Sequence, residues 1–150
     1  MSSPWSPRRE GSPDASRLLI ERAHEEFVRG NPDDARVRDV RGVVRESWRR
    51  SLDSLVGLEG LPPLALTPEE LERHRREHPL SDVIDMIRGL LIPGAPEESG
   101  VVGAVGDASG RLLWVEGDRR VRTLTGDMGF VAGTSWAEEA VGTSAPGTAL

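Results

Sequence analysis

Val101-Val102-Gly103-Ala104-Val105 runs apolar into Asp107-Ala108-Ser109-Gly110, and Leu112-Leu113-Trp114-Val115 answers on the far side. Two short apolar runs separated by a turn rich in Asp, Ser and Gly predict a β-hairpin, with strands over 100–106 and 111–116. Helical patterns precede this hairpin and a Gly/Thr-rich tail follows it. The expected fold class is therefore α+β: N-terminal helices followed by an antiparallel sheet left incomplete within the 150 residues.

Working outward, Leu80, Val83, Ile84, Ile87, Leu90 and Leu91 give residues 80–92 a broad apolar helical face, closed by Pro93-Gly94. Thr67-Pro68-Glu69-Glu70 is a helix start: the Thr hydroxyl caps, Pro fits the first turn, and Glu70 completes a capping box. That helix should end at Glu77, ahead of His78-Pro79. Leu61-Pro62-Pro63 marks a linker. Before it, Val37, Val40, Val44, Trp48, Leu52 and Leu55 recur at three- and four-residue steps and predict one helix over 37–56, with Gly57 as its stop. Arg38, Arg41, Arg45 and Arg49 would form a stripe beside that face. A first helix is expected from Asp14 to Gly30, carrying Leu18, Leu19, Ala23 and Phe27, and residues 1–13 read as a disordered tail rich in Ser, Pro, Arg and Gly. Downstream of the hairpin, Asp118 caps a short helix with Val121 and Leu124, and Ser135 with Glu138 predicts another helix start.

Composition removes several function classes. The chain has no cysteine, so disulfides, thiolate nucleophiles and cysteine-held metal sites are excluded. Every basic side chain is arginine, which leaves no Schiff-base or phosphate-loop lysine. No run approaches the ~18–20 apolar residues of a membrane helix, and the N-terminus lacks an apolar signal core. A cytoplasmic location is expected. At net charge −6, nucleic-acid contact would need a local basic patch.

Individual constellations have competing readings. His74-Arg75-Arg76-Glu77-His78 fits the H-x-x-E-H pattern of inverted zinc peptidases, but two arginines crowd it and Pro79 disrupts the turn holding His78. A solvated helix end is the preferred reading, and no metal or cofactor is expected. Gly100, Gly103, Gly106 and Gly110 lie in a hairpin rather than in a strand-to-helix turn, which argues against a dinucleotide fingerprint. Ser144 has no neighbouring base to activate it. Gly142, Thr143, Ser144, Gly147 and Thr148 can build a tight structural turn or present hydroxyls to a ligand. Trp114 and Trp136 can line an apolar pocket or fill the core. The candidate ligand-binding residues are thus Trp114, Trp136, Thr143, Ser144 and Thr148, with no catalytic residue.

The phrases Gly110-Arg111-Leu112-Leu113-Trp114, Gly129-Phe130-Val131-Ala132-Gly133, Trp136-Ala137-Glu138 and Val141 to Leu150 resemble, in this order, the start of the GAF domain in acetoin-catabolism-type transcriptional activators, most closely their actinobacterial branch. Glu46-Ser47-Trp48-Arg49-Arg50-Ser51 resembles the Ser-Trp-x-Arg-Ser helix that precedes that domain. The resemblance covers residues 36–150 and departs at Ser144, where the family usually has Asn. It implies a helical N-terminal region at 14–92 and a partial GAF domain at 97–150, truncated before its pocket closes. The implied function is the signal-input part of a transcriptional regulator that senses a small-molecule metabolite, without enzymatic activity. Binding by this chain alone should be weak or absent. DNA contact would belong to a missing downstream domain, and Leu80, Ile84, Ile87 and Leu91 would form a homodimer contact. The alternatives are a structural or dimerisation fragment without ligand and, remotely, a zinc hydrolase at His74 and His78.

Overall fold

The computed structural model describes residues 13–54, 60–92 and 99–148. The fold is α+β, and the chain divides into two compact units, Met1–Leu55 and Val56–Leu150. The division falls upstream of the linker at Leu61-Pro62-Pro63, so the helices between residues 60 and 92 share a unit with the hairpin. Of the tail expected at 1–13, Pro13 already belongs to the first helix and residues 1–12 lie outside the described residues, as do the helix stop at Gly57, the Pro93-Gly94 turn and the start of the partial domain at residue 97.

The first unit contains α1 (Pro13–Val28), α2 (Ala35–Asp39) and α3 (Gly42–Asp53). Its buried side chains are Ala23, Val37, Ser47 and Trp48, and the Trp48 indole meets His24 edge-on at 4.9 Å and Phe27 at 5.5 Å. The single helix expected over 37–56 is broken. Val40 (ψ 143°) and Arg41 (ψ 139°) are extended between α2 and α3. Asp34 starts α2 by accepting the Arg36 amide at 2.9 Å, and the Val40 amide turns back to the Val37 carbonyl, closing α2 after five residues. Periodicity alone could not see this stop, because the apolar spacing continues across it. The arginine stripe is consequently divided between two helices.

The second unit starts with an extended segment through Leu66 and then α4 (Pro68–Glu77). The capping box forms as the sequence predicts, with Thr67 Oγ1 accepting the Glu70 amide at 3.3 Å and Glu70 accepting the Thr67 amide at 2.8 Å. His78 stands outside the helix at ψ 135°, and its Nδ1 accepts the Leu80 amide at 3.2 Å. A 3-10 turn over Pro79–Val83 leads into α5 (Ile84–Leu91), so the expected helix over 80–92 is regular only in its second half. Proline at the first position fixes φ and removes a donor, which suits a tight first turn.

Strands β1 (Val102–Gly106) and β2 (Leu112–Gly117) pair antiparallel, with Val105 opposite Trp114 and Gly106 opposite Leu112. Leu113 therefore has no partner on β1 and forms a bulge. Around an extra residue the alternation of faces is broken. Leu113 and Trp114, although adjacent, both join a core with Leu66, Leu71 and Ile84, while Leu112 turns to the other face. Leu113 is fully buried. Asp118 follows β2 and accepts amides from Arg120 and Val121, starting α6 (Arg119–Gly126), and from Gly100, fastening the entry to β1. These amides hold its carboxyl below the usual range.

The segment 133–136 lies beside the start of β2. The Leu112 amide donates to the Thr134 carbonyl at 2.9 Å, and the Trp136 amide to the Gly110 carbonyl at 2.8 Å. Its other edge meets residues 63–66, with the Ser135 amide on the Pro63 carbonyl at 2.9 Å. This pairing takes Ser135 out of the helix start expected there. Helix α7 (Glu138–Val141) begins later, with Ala137 at its N-terminus and no side-chain cap, and α8 (Ala145–Thr148) ends the described chain.

Candidate functional site: two faces of one hairpin

The bulge gives the hairpin two unlike faces. On one, Gly103, Val105, Trp114 and Glu116 look onto Ile84, Ile87 and Arg88 of α5, leaving a cavity of about 20 Å³. That volume accommodates about one water molecule. Arg88 grips Glu116 through Nε and a terminal nitrogen at 2.5 Å each, and these bonds raise the guanidinium above its ordinary value. Of the residues expected at a homodimer contact, Leu91 is 54% exposed and the others are turned at least partly inward. Leu80 packs on the core, Ile84 is buried in it, and Ile87 and Leu91 line the small cavity. The outward stripe of this helix is Val83, Met86 and Leu90, the last two 61% and 74% exposed.

On the other face, Ala104, Gly106, Asp107, Leu112, Phe130 and Pro146 line a concavity of about 340 Å³, at the lower end of the size range of small-molecule sites. Its wall is held in place by the tail. Phe130 and Trp136 form an edge-to-face pair with centroids 5.1 Å apart, and the Trp136 indole nitrogen donates to the Gly129 carbonyl at 3.4 Å. Ser144 caps α8 by accepting the Gly147 amide at 3.1 Å, and its hydroxyl donates to the Trp136 carbonyl at 3.4 Å. The Thr148 hydroxyl donates to Glu138 at 3.3 Å, and Thr143 is half-buried beside Ser144. A methyl at Gly147 would collide with the Trp136 carbonyl, so only glycine seats α8 this closely.

Of the five candidate site residues, Trp136, Ser144 and Thr148 thus brace the wall of the concavity from behind, with Thr143 alongside. Trp114 lies across the sheet in the core, 7% exposed, with the Arg75 guanidinium 6.0 Å from its ring centre. Sequence reading missed Phe130, Leu112 and Pro146 as lining residues. All three lie in stretches that carry the family resemblance, yet the face taken by Leu112 depends on the bulge, which leaves no pattern in the sequence.

Asp107 sits at the floor of the concavity with its side chain 5% exposed. Its Oδ1 accepts the Ser109 amide at 2.9 Å and the Arg111 amide at 3.1 Å; its Oδ2 accepts Arg111 Nε at 2.7 Å and lies 3.1 Å from His74 Nε2. Burial pushes the carboxyl up, but the amides of Arg111 and Ser109 and the Arg111 guanidinium outweigh it and leave the group below the ordinary carboxylate range. His74 and Asp107 tie α4 to the hairpin turn, and Arg75 Nε adds a bond to the Leu113 carbonyl at 2.6 Å. The two histidines of the zinc-like pattern are engaged separately, His74 with Asp107 and His78 with its own backbone turn. Among the described residues, no group of three or more His, Cys, Asp or Glu is placed to hold a metal ion, and no helix is long and apolar enough to cross a membrane.

No protein-family model and no solved structure matches the chain. Over 99% of its length it is 43% identical to an uncharacterised 47.3 kDa protein in the thcA 5′ region of Rhodococcus erythropolis, an actinobacterial homologue. The chain spans 35% of the length of that relative.

Proposed function

We propose that this chain is the signal-input portion of a transcriptional regulator, a helical region followed by the opening part of a GAF domain that senses a small molecule without catalysing a reaction. The observation that carries this reading is the concavity of about 340 Å³ on the hairpin face that α5 leaves free. A sheet sealed by a helix on one side and hollow on the other separates a binding surface from a transmitting one. A ligand that prefers one tilt of the hairpin would bias α4 and α5 through Asp107–His74 and Glu116–Arg88. Output onto DNA would require a further domain, and a location in the cytoplasm accords with that role. The reading frame after codon 150 tests the assignment: more strands and a DNA-binding segment are expected, and a stop codon directly after Leu150 refutes it.

The exposed stripe Val83, Met86 and Leu90 favours a second reading, a dimerisation fragment without ligand. Light scattering on the chain and on Leu90→Asp separates the two. A dimer that the substitution converts to a monomer supports the second reading, and a monomer throughout removes it.

A further inference from the structure

We infer that the concavity beneath the hairpin turn takes an uncharged, ring-bearing small molecule and rejects anions and cations of the same shape. This rests on the small-molecule-sensing reading above and adds the chemistry of the ligand to it. The first ground is the electrostatics of the lining. Asp107 is the only ionisable side chain among the described lining residues. An ionised carboxylate offers about four acceptor positions; at Asp107 three take the Ser109 amide, the Arg111 amide and Arg111 Nε, and the fourth takes His74 in its Nε2–H tautomer. No lone pair is left over to receive a ligand ammonium group. Arg111, which neutralises the carboxylate, is directed at Asp107 Oδ2 and lies 3.5 Å from His74, so its charge is engaged at the floor. A bound anion would therefore lose its hydration against Ala104, Leu112 and Pro146 with no cation to receive it, and a bound cation would meet no free acceptor side chain.

The second ground is the aromatic wall. Phe130 lines the concavity, and Trp136 supports it edge-on from behind. Such a wall favours a flat ring through offset or edge contacts. The indole nitrogen of Trp136 is already donating to Gly129, so this wall presents ring surface rather than a hydrogen-bond donor.

Benzyl alcohol, benzoate and benzylamine share a ring and differ in charge, which makes them the probes. Each is titrated to millimolar concentration into the ¹⁵N-labelled chain, following the Gly106, Gly110 and Phe130 amides and the Trp136 indole by two-dimensional NMR. Saturable shifts are expected with benzyl alcohol at an affinity about tenfold or more above that of either charged analogue, and Ala104→Leu, which fills the concavity, should abolish them. Benzoate or benzylamine moving the same signals as strongly would overturn the charge inference while leaving the site in place. Absence of saturable shifts with all three probes would overturn the site itself, and the inference with it.

Discussion

Met1–Leu55 and Val56–Leu150 use their charged side chains in different ways. In the first unit most ion pairs are local in sequence, as with Arg17 to Glu21 at 2.7 Å, Arg29 to Glu26 at 2.9 Å and Arg36 to Asp34 at 2.9 Å, and the longest reach is Arg36 to Glu26 at 3.3 Å, ten positions apart. The second has local pairs as well, such as Arg75 to Glu72 and Arg111 to Asp107, but in it Arg88 also reaches Glu116 across 28 positions and His74 reaches Asp107 across 33. Exposed pairs within one helix contribute little net stability and cannot choose between tertiary arrangements. Part-buried pairs between elements fix which surface of a helix meets the sheet. The totals differ too: eleven arginines face ten carboxylates in the first unit, and eight face fifteen in the second. The second unit therefore carries the acidic surplus of the whole chain, and three of its eight arginines, Arg75, Arg88 and Arg111, bond where helix meets hairpin.

This contrast can be broken by mutation. The largest effect is expected from Trp48→Ala, because this indole is the largest buried side chain among the described residues of the first unit: a loss of about 3–5 kcal/mol in urea unfolding. A loss below about 1 kcal/mol would mean that local contacts, rather than packing, hold that unit. In the second unit Leu113→Ala removes a fully buried side chain and should cost about 2–5 kcal/mol. Asp107→Asn is expected to cost about 1–3 kcal/mol near pH 7, since it removes a buried, fully bonded carboxylate.

Acid sharpens the Asp107 test. Its folded carboxyl lies below the ordinary value of 3.8, so the stabilisation is complete above that value and is lost as pH falls through the folded one. The gap between wild type and Asp107→Asn should shrink on going from pH 6 to pH 3 in parallel urea titrations; a constant gap would show that the charge is immaterial. Thr67→Ala removes half of the capping box and should cost about 1 kcal/mol. Arg17→Ala, at an exposed pair, should leave the denaturation midpoint unchanged.

Much of the secondary structure was legible because it is written locally. The Thr67–Glu70 box, the Asp118 cap and the turn at Asp107–Gly110 each involve residues within four positions, and all three stand where the sequence put them. The features that escaped are contests decided elsewhere. Ser135 has a good helix-start signature, but Pro63 and Gly110, far away in sequence, draw the backbone around it into strand pairing. The break at Val40-Arg41 lies where the Val40 amide turns back to the Val37 carbonyl and both residues become extended, a stop that no residue type announces. For the candidate site, the tail stands out by its composition, but Trp136, Ser144 and Thr148 are not among the described lining residues of the concavity. The assignment of Trp114 to the opposite face could not be read from sequence, because it is set by strand register and by which helix covers the sheet.

The unmatched leucine in β2 has a further consequence for how this hairpin tolerates change in length. With Val105 facing Trp114 and Gly106 facing Leu112, excising Leu113 would bring the two strands into unbroken register. The shortened protein would own a neater ladder and a poorer interior, its geometry improved at the spot where its cohesion is diminished. An added residue on β1 opposite the leucine would also restore the register, but by swinging that side chain out of the helix-covered side and into the hollow one. Codon gains and losses at this point are thus unequal events: each draws the leucine from the interior, and only the gain also fills part of the hollow side.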